Sequence, residues 1–200
     1  MTSGCIRPLL LALLGLIWLS QTAHPASYQD IQAKRPDLFH PQTGYRIDRQ
    51  RAPTPGDIPP PALHIDADKA AALLAEGALA LDVFGASQSR FDELDGRWLV
   101  SKQRQSLPGA VWLPETGRGV LDETMSSYLS ANLARLAGPD RTRPIIVFCV
   151  ADCWMSWNAA QRIAKLGYKS VYWFRHGTDG WLDTGRKLTP VDPVPVNVDE

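Results

Sequence analysis

The sequence predicts a single α/β domain, a parallel sheet with helices on both faces. Two segments, Ile145–Phe148 and Val171–Phe174, are apolar at every position, as in parallel strands covered on both sides. Helix signals alternate with strand signals from residue 64 onward, and Gly or Pro stands at the junctions. The 200 residues, 44% hydrophobic and 21% charged, suffice for one ordinary domain and exclude collagen-like, coiled-coil and disordered classes. Lys plus Arg number 21 and Asp plus Glu 21, so no excess of cations points to nucleic acid.

The elements follow in order. Residues 9–19 form an uninterrupted apolar run behind a short basic start, with Ala23 and Ala26 beyond it. A spanning helix needs about 20 apolar residues; this run has the length of a signal-peptide core. Residues 1–26 are therefore expected to be an export leader, directing the protein to the periplasm and leaving no membrane segment after cleavage. Cys5 departs with it, and Cys149 and Cys153 remain in an oxidising compartment. Residues 27–63 are rich in Pro, Arg and Asp and include PTPGDIPPP at 53–61, which propagates neither a helix nor a central strand. They read as an extended arm laid over the domain or as a flexible linker, with residues 44–47 its best strand.

The domain proper spans 64–190, followed by a tail at 191–200. Asp66 caps a helix over 67–76, and residues 79–83 form a strand. A polar loop runs through 98–106. Pro108-Gly109 opens a strand at 110–113, and Asp122 caps a helix over 123–136. A helix over 157–166 separates the two apolar strands, and a Gly-rich turn leads to Trp181. Ligands gather at the carboxyl ends of such strands. Three segments arrive there: 82–85, 149–156 and 175–180.

Cys149 ends the most apolar strand just before a helix N-terminus, where backbone N–H groups favour a thiolate. Cys153 follows four residues later. A static disulfide across so short a loop would contribute only about 2 kcal/mol. On a helical turn the two Cβ atoms would lie about 5–6 Å apart, too far for a bridge without loop movement. The expected chemistry is disulfide exchange or sulfur transfer, with Cys149 attacking and Cys153 resolving. Asp152, Trp154, Met155 and Ser156 belong to this loop, and Asp82, Arg175 and Asp179 are candidate supporting residues. The rival reading is a copper or zinc module on Cys149, Cys153 and His176, with Met155 as a further soft ligand. A third is a non-catalytic docking module. Trp112, Trp157 and Trp173 read as core, Trp154 and Trp181 as partly exposed walls or interface anchors. No Ser-His-Asp order, phosphate loop or dinucleotide fingerprint occurs.

The stretch FCVADCWMSWNAAQRIAKLGYKSVYWFRHGTDGW at 148–181, with Leu81-Asp82-Val83 and Leu107-Pro108-Gly109-Ala110-Val111, resembles the active-site half of a rhodanese domain. Thr43-Gly44-Tyr45-Arg46, residues 108–114 and the string from Asp152 to Ala160 are similar to one exported subfamily. It is named for a CxxCW-type motif and is associated with pyrroloquinoline quinone-dependent alcohol catabolism. The resemblance implies a rhodanese-like fold, a periplasmic setting and a quinoprotein dehydrogenase or its cytochrome as partner. The loop departs from a sulfurtransferase loop by one extra residue, by lacking a cation and by carrying Asp152. That charge would repel an anionic donor by about 1 kcal/mol at 4 Å in water and would oppose ionisation of Cys149.

Overall fold

The computed structural model describes Met1 and residues 25–88, 90–139 and 141–196. The expected leader lies, apart from Met1 and residues 25–26, outside the described residues. The strands are Leu63–Ile65 (β1), Leu79–Asp82 (β2), Arg104–Ser106 (β3), Val111–Trp112 (β4), Ile145–Phe148 (β5), Val171–Phe174 (β6) and Thr189–Val191 (β7). The helices are Tyr28–Lys34 (α1), Ala67–Ala75 (α2), Glu123–Ala137 (α3), Trp154–Lys165 (α4) and Gly177–Asp183 (α5). Five strands make one parallel sheet in the order β1-β6-β5-β2-β4.

Alternation along the strands divides the core. Leu79, Leu81, Ile145, Val147, Val171 and Trp173 pack on one face with Leu129, Leu133, Trp157 and Ile163 of α3 and α4. Ala80, Ile146, Phe148 and Phe174 pack on the other with Ala70, Leu73 and Trp181 of α2 and α5. Because both faces are covered, β5 is apolar at every position, and all four of its side chains are fully buried. The expected caps form: Asp66 accepts from Lys69 N at 2.8 Å and Asp122 from Met125 N at 2.8 Å.

Four elements differ from the sequence expectation. The Pro-rich arm begins with α1, which fits between Pro25 and Pro36 and is capped by Ser27, so the prolines bound the helix instead of breaking it. Helix α4 starts at Trp154, three residues early. The Gly-rich turn is the helix α5; Gly177 has φ +51°, and a Cβ there would collide with the Cys149 carbonyl. Within the polar loop, β3 pairs antiparallel with β7, where Pro190 is tolerated in a two-stranded ribbon. Up to Val196 the C-terminal segment is packed: Val194 N donates to Trp112 O at 3.0 Å, and Trp98 Nε1 donates to Val194 O at 3.0 Å.

The arm lies over the domain along α4. Asn158 is buried and treats the arm as a strand would: its Oδ1 accepts from Arg46 N at 2.8 Å, and its Nδ2 donates to Arg46 O at 2.9 Å and Gly117 O at 3.0 Å. Phe39 packs edge-on against Trp154 at 5.5 Å, and Arg46 sits 4.7 Å above the Trp154 ring. Residues 44–47 supply one isolated bridge, Arg46 to Phe39, not a full strand.

Replacing Asn158 by Ala strands buried donors and acceptors on both segments and should lower unfolding stability by about 2–4 kcal/mol. Tryptic cleavage at Arg49 and Arg51 should quicken. Urea denaturation and timed proteolysis measure both, and unchanged cleavage would mean the arm is held without this clamp.

A candidate thiol site at the carboxyl end of the sheet

The loop from Cys149 to Cys153 leaves β5 and enters α4. Val150 to Asp152 turn sharply, with Asp152 at φ +51°, a left-handed conformation that Asp tolerates better than most residues. Cys153 is extended (φ −125°, ψ 108°) and is the residue before the helix. The loop is thus not one turn of helix, and the Cβ spacing expected for that case does not apply. Both cysteines are free thiols and fully buried.

The two thiols are near enough to perturb each other's ionisation. Cys149 Sγ lies 3.3 Å from Ser156 Oγ and 3.4 Å from Cys153 O. Ser156 is fixed in turn, since its Oγ accepts from Trp173 Nε1 at 3.0 Å and donates to Cys153 O at 3.2 Å. First-turn amides of α4 face the sulfurs, Met155 N–H towards Cys153 and Ser156 N–H towards Cys149. Burial pushes the Cys149 thiol well above its ordinary value, and the neighbouring Cys153 adds to the rise. The neighbouring Cys149 thiol brings Cys153 down to about 7 despite desolvation, helped by the Met155 amide and by Arg51. These directions favour negative charge on Cys153 over Cys149, the reverse of the order expected from the sequence.

The arm crosses directly over this loop. Trp154 N donates to Gln50 O at 2.9 Å and Ala52 N to Asp152 O at 3.1 Å, flanking an antiparallel bridge between Arg51 and Cys153. Arg51 Nη1 donates to Ala151 O at 2.7 Å. Trp154 Nε1 reaches Pro53 O at 3.2 Å, and Trp157 Nε1 reaches Asp57 O at 3.1 Å. Beside the crossing a cleft of about 730 Å³ is lined by Asp48 to Ala52, Phe84 to Ser87, Glu115, Arg118, Cys153 and Met155. Cys153 borders this cleft; Cys149 does not.

The other expected residues take definite places. Asp82 is fully buried at the end of β2, where Oδ2 accepts from Arg104 Nε at 2.8 Å and Ser106 Oγ at 2.7 Å, and Oδ1 accepts from Phe84 N at 3.0 Å. Burial pushes its carboxyl above the ordinary value in spite of these partners. Asp82 ties β2 to β3 and, through Arg104 Nη2 at 3.4 Å from Cys149 O, to the loop. Asp179 accepts from Ala151 N at 2.8 Å, and Arg175 donates to Thr54 Oγ1 at 3.0 Å and Thr54 O at 2.9 Å. Asp152 is exposed and its carboxylate accepts from Thr54 N at 3.4 Å, so burial, not Asp152, dominates the suppression of Cys149 ionisation.

Three expectations are corrected. Trp154 and Trp181 are buried, not exposed walls: α4 begins early enough to turn Trp154 under the arm, and Trp181 packs between α5 and the sheet. His176 does not join the cysteines: it is exposed at the start of α5 and lies 3.3 Å from Arg175 Nη1. Among the described residues no three His, Cys, Asp or Glu side chains are grouped to hold a metal ion, which removes the donor set proposed for copper or zinc. Sequence reasoning missed Arg51 and Arg104. Neither has a local signature, because each reaches the loop from a distant segment.

A cysteine loop between a central parallel strand and a helix N-terminus, braced by a strand-end Asp and a Gly-led helix, defines a cysteine-loop α/β protein. The family model for rhodanese-like domains matches residues 66–184, and the chain belongs to that family. Among solved structures it is similar to the polysulfide-sulfur transferase homodimer from Wolinella succinogenes, with 17% identity over 64% of this chain and 78% of that one, at a TM-score of 0.43. No curated protein matches the sequence. The arm and the residues after 184 lie outside the matched span.

In full-length protein carrying Cys5→Ser, alkylation of Cys153 by iodoacetamide should rise with pH through a midpoint of about 7. Cys149→Ala removes the sulfur donor and should move that midpoint upward, towards an ordinary thiol. A midpoint unmoved by this change would refute the neighbouring Cys149 thiol as its cause.

Proposed function

We propose that this chain is an exported dithiol protein that exchanges sulfur–sulfur bonds at Cys153, with Cys149 as the resolving thiol, in the service of quinoprotein-dependent alcohol oxidation. The observation that carries the reading is the arrangement of the pair: Cys153 borders the cleft, and Cys149, which does not, lies beside it with its Sγ 3.4 Å from the Cys153 carbonyl. The Cys153 thiolate attacks a sulfur of an incoming disulfide or persulfide, R–S–S–R′, forming a Cys153–S–S–R bond and releasing R′–S⁻. Cys149 then loses its proton and attacks the Cys153 sulfur, closing a Cys149–Cys153 disulfide and releasing R–S⁻. The substrate gains two electrons and the protein loses them. With a persulfide whose outer sulfur is taken, the first step is sulfur transfer, and hydrosulfide leaves in the second.

Three features support the pairing over a one-cysteine sulfurtransferase. The loop carries a second thiol where a cation is usual. Its Ala151 and Trp154 amides are engaged by Asp179 and Gln50 and do not face an incoming anion. Ser156 and Trp173 hold the resolving sulfur in place. The periplasmic setting is supported by the leader-like residues 1–26 and by the two cysteines left after cleavage. The quinoprotein association is supported by the motif string from Asp152 to Ala160 and by Thr43 to Arg46. Trp154 is buried, so docking through an exposed Trp154 loses its anchor.

Reaction of the Cys5→Ser protein with an aryl disulfide should release two aryl thiolates per chain and leave a closed pair. Cys149→Ser should release one and retain the adduct on Cys153; Cys153→Ser should release none at comparable rate. Equal release by all three would refute the assignment. Intact mass of periplasmic protein without reductant reports both leader loss and sulfur state. A chain without residues 1–26 and lacking two hydrogens, or carrying one extra sulfur, is the expected result. A full-length chain with all three thiols unreacted would refute it.

A further inference from the structure

Residues 149–155 contain no Lys or Arg, yet the loop is not without a cation. Arg51 reaches it from the arm, 98 residues before Cys149 in sequence. Its backbone is bridged to Cys153, its Nη1 donates to Ala151 O at 2.7 Å, and it lines the same cleft as Cys153, whose ionisation its charge favours.

The charges around the cleft are otherwise largely spent. Arg118 is ion-paired with Glu115 and donates to Gln50 Oε1 at 2.9 Å. The Asp48 carboxylate accepts only a backbone N–H, from Arg49 at 2.6 Å, and keeps its charge, but the cleft lining sets it against both Arg49 and Arg51. Asp152 faces Thr54, and Asp82 is paired with Arg104 behind the Cys149 carbonyl. Arg51 is ion-paired with no carboxylate among the described residues. A guanidinium carries five N–H donors in a planar fork suited to carboxylate or sulfonate, and its bond to a neutral carbonyl leaves its charge unneutralised.

Resting on the exchange reading above, we infer that Arg51 of the arm, with the exposed Arg49 beside it, binds the anionic group of an incoming disulfide or persulfide, so that negatively charged sulfur compounds are the substrate class. The arm is then part of the active site, although it lies outside the matched domain. The same guanidinium that faces the attacking sulfur receives the substrate's charge and keeps that charge beside the thiolate without net repulsion.

Two probes separate this role from simple bracing of the arm. Dithiobis(nitrobenzoate) is anionic and dithiodipyridine neutral, and both react by the same disulfide exchange. In the Cys5→Ser protein, second-order rates are measured for each and corrected for the thiolate fraction from the alkylation profile. Arg51→Gln should slow the anionic probe about tenfold more than the neutral one, about 1.4 kcal/mol of charge-specific binding. Arg51→Lys should recover part of the difference, and added salt should erode it in the parent protein. Equal slowing of both probes, or no change in their ratio, would overturn the inference and leave Arg51 a brace. Failure of both probes to react at Cys153 in the parent protein would sink the exchange reading itself.

Discussion

Two sulfur atoms share a dry pocket at the carboxyl end of β5, and a dry pocket holds one negative charge far more cheaply than two. That constraint organises the surroundings. The sulfur deeper in the sheet, Cys149, is held as a donor, and Ser156 and Trp173 fix its direction. The sulfur at the helix entrance, Cys153, collects what favours a thiolate: the S–H of Cys149, the Met155 amide and the Arg51 guanidinium. Charge on Cys153 and a proton on Cys149 therefore favour each other. The division of labour comes from position, because burial and helix entry differ between residues only four apart.

The arm makes that pocket dry. Without residues 50–54 the loop would present Trp154 and its own polar backbone to water; with them, Gln50, Ala52 and Pro53 answer those groups. Asn158 and the Phe39–Trp154–Trp157 ring cluster anchor the arm to α4, the helix that follows directly on Cys153. Stability of the arm and polarity of the thiol are linked through one helix. Any loosening of the arm admits water to Cys153 and removes Arg51 together, with opposing effects on the thiolate: hydration favours the charge, and loss of the cation disfavours it.

Much of the sheet was legible in the sequence because its signals are local. Ile145–Phe148 and Val171–Phe174 announce buried strands, and Asp66 and Asp122 announce helix starts. The pairing of β3 with β7 was not legible, since Arg104–Ser106 is polar and its partner contains Pro190. The burial of Trp154 was missed for a related reason: placing the start of α4 at residue 157 left Trp154 in a loop, where an aromatic beside a cysteine suggests exposure. Cys149 and Cys153 stood out by spacing alone, but their order of acidity did not, because it depends on Arg51 and on which sulfur faces the cleft. The cation was sought within the loop, and a contact between segments about a hundred residues apart leaves no pattern in either.

On the proposed exchange chemistry, Asp152 is tolerable beside a charged Cys153. Its left-handed backbone turns the carboxylate outward to Thr54, while Arg51 sits on the cleft side with Cys153. The cation thus lines the cleft with Cys153, and Asp152 does not. In the first step one thiolate enters the bond and another leaves, so the net charge of the complex is unchanged and only its location moves, from Cys153 towards the departing sulfur. A guanidinium lining the cleft beside Cys153 would, in that scheme, stabilise the charge during its displacement.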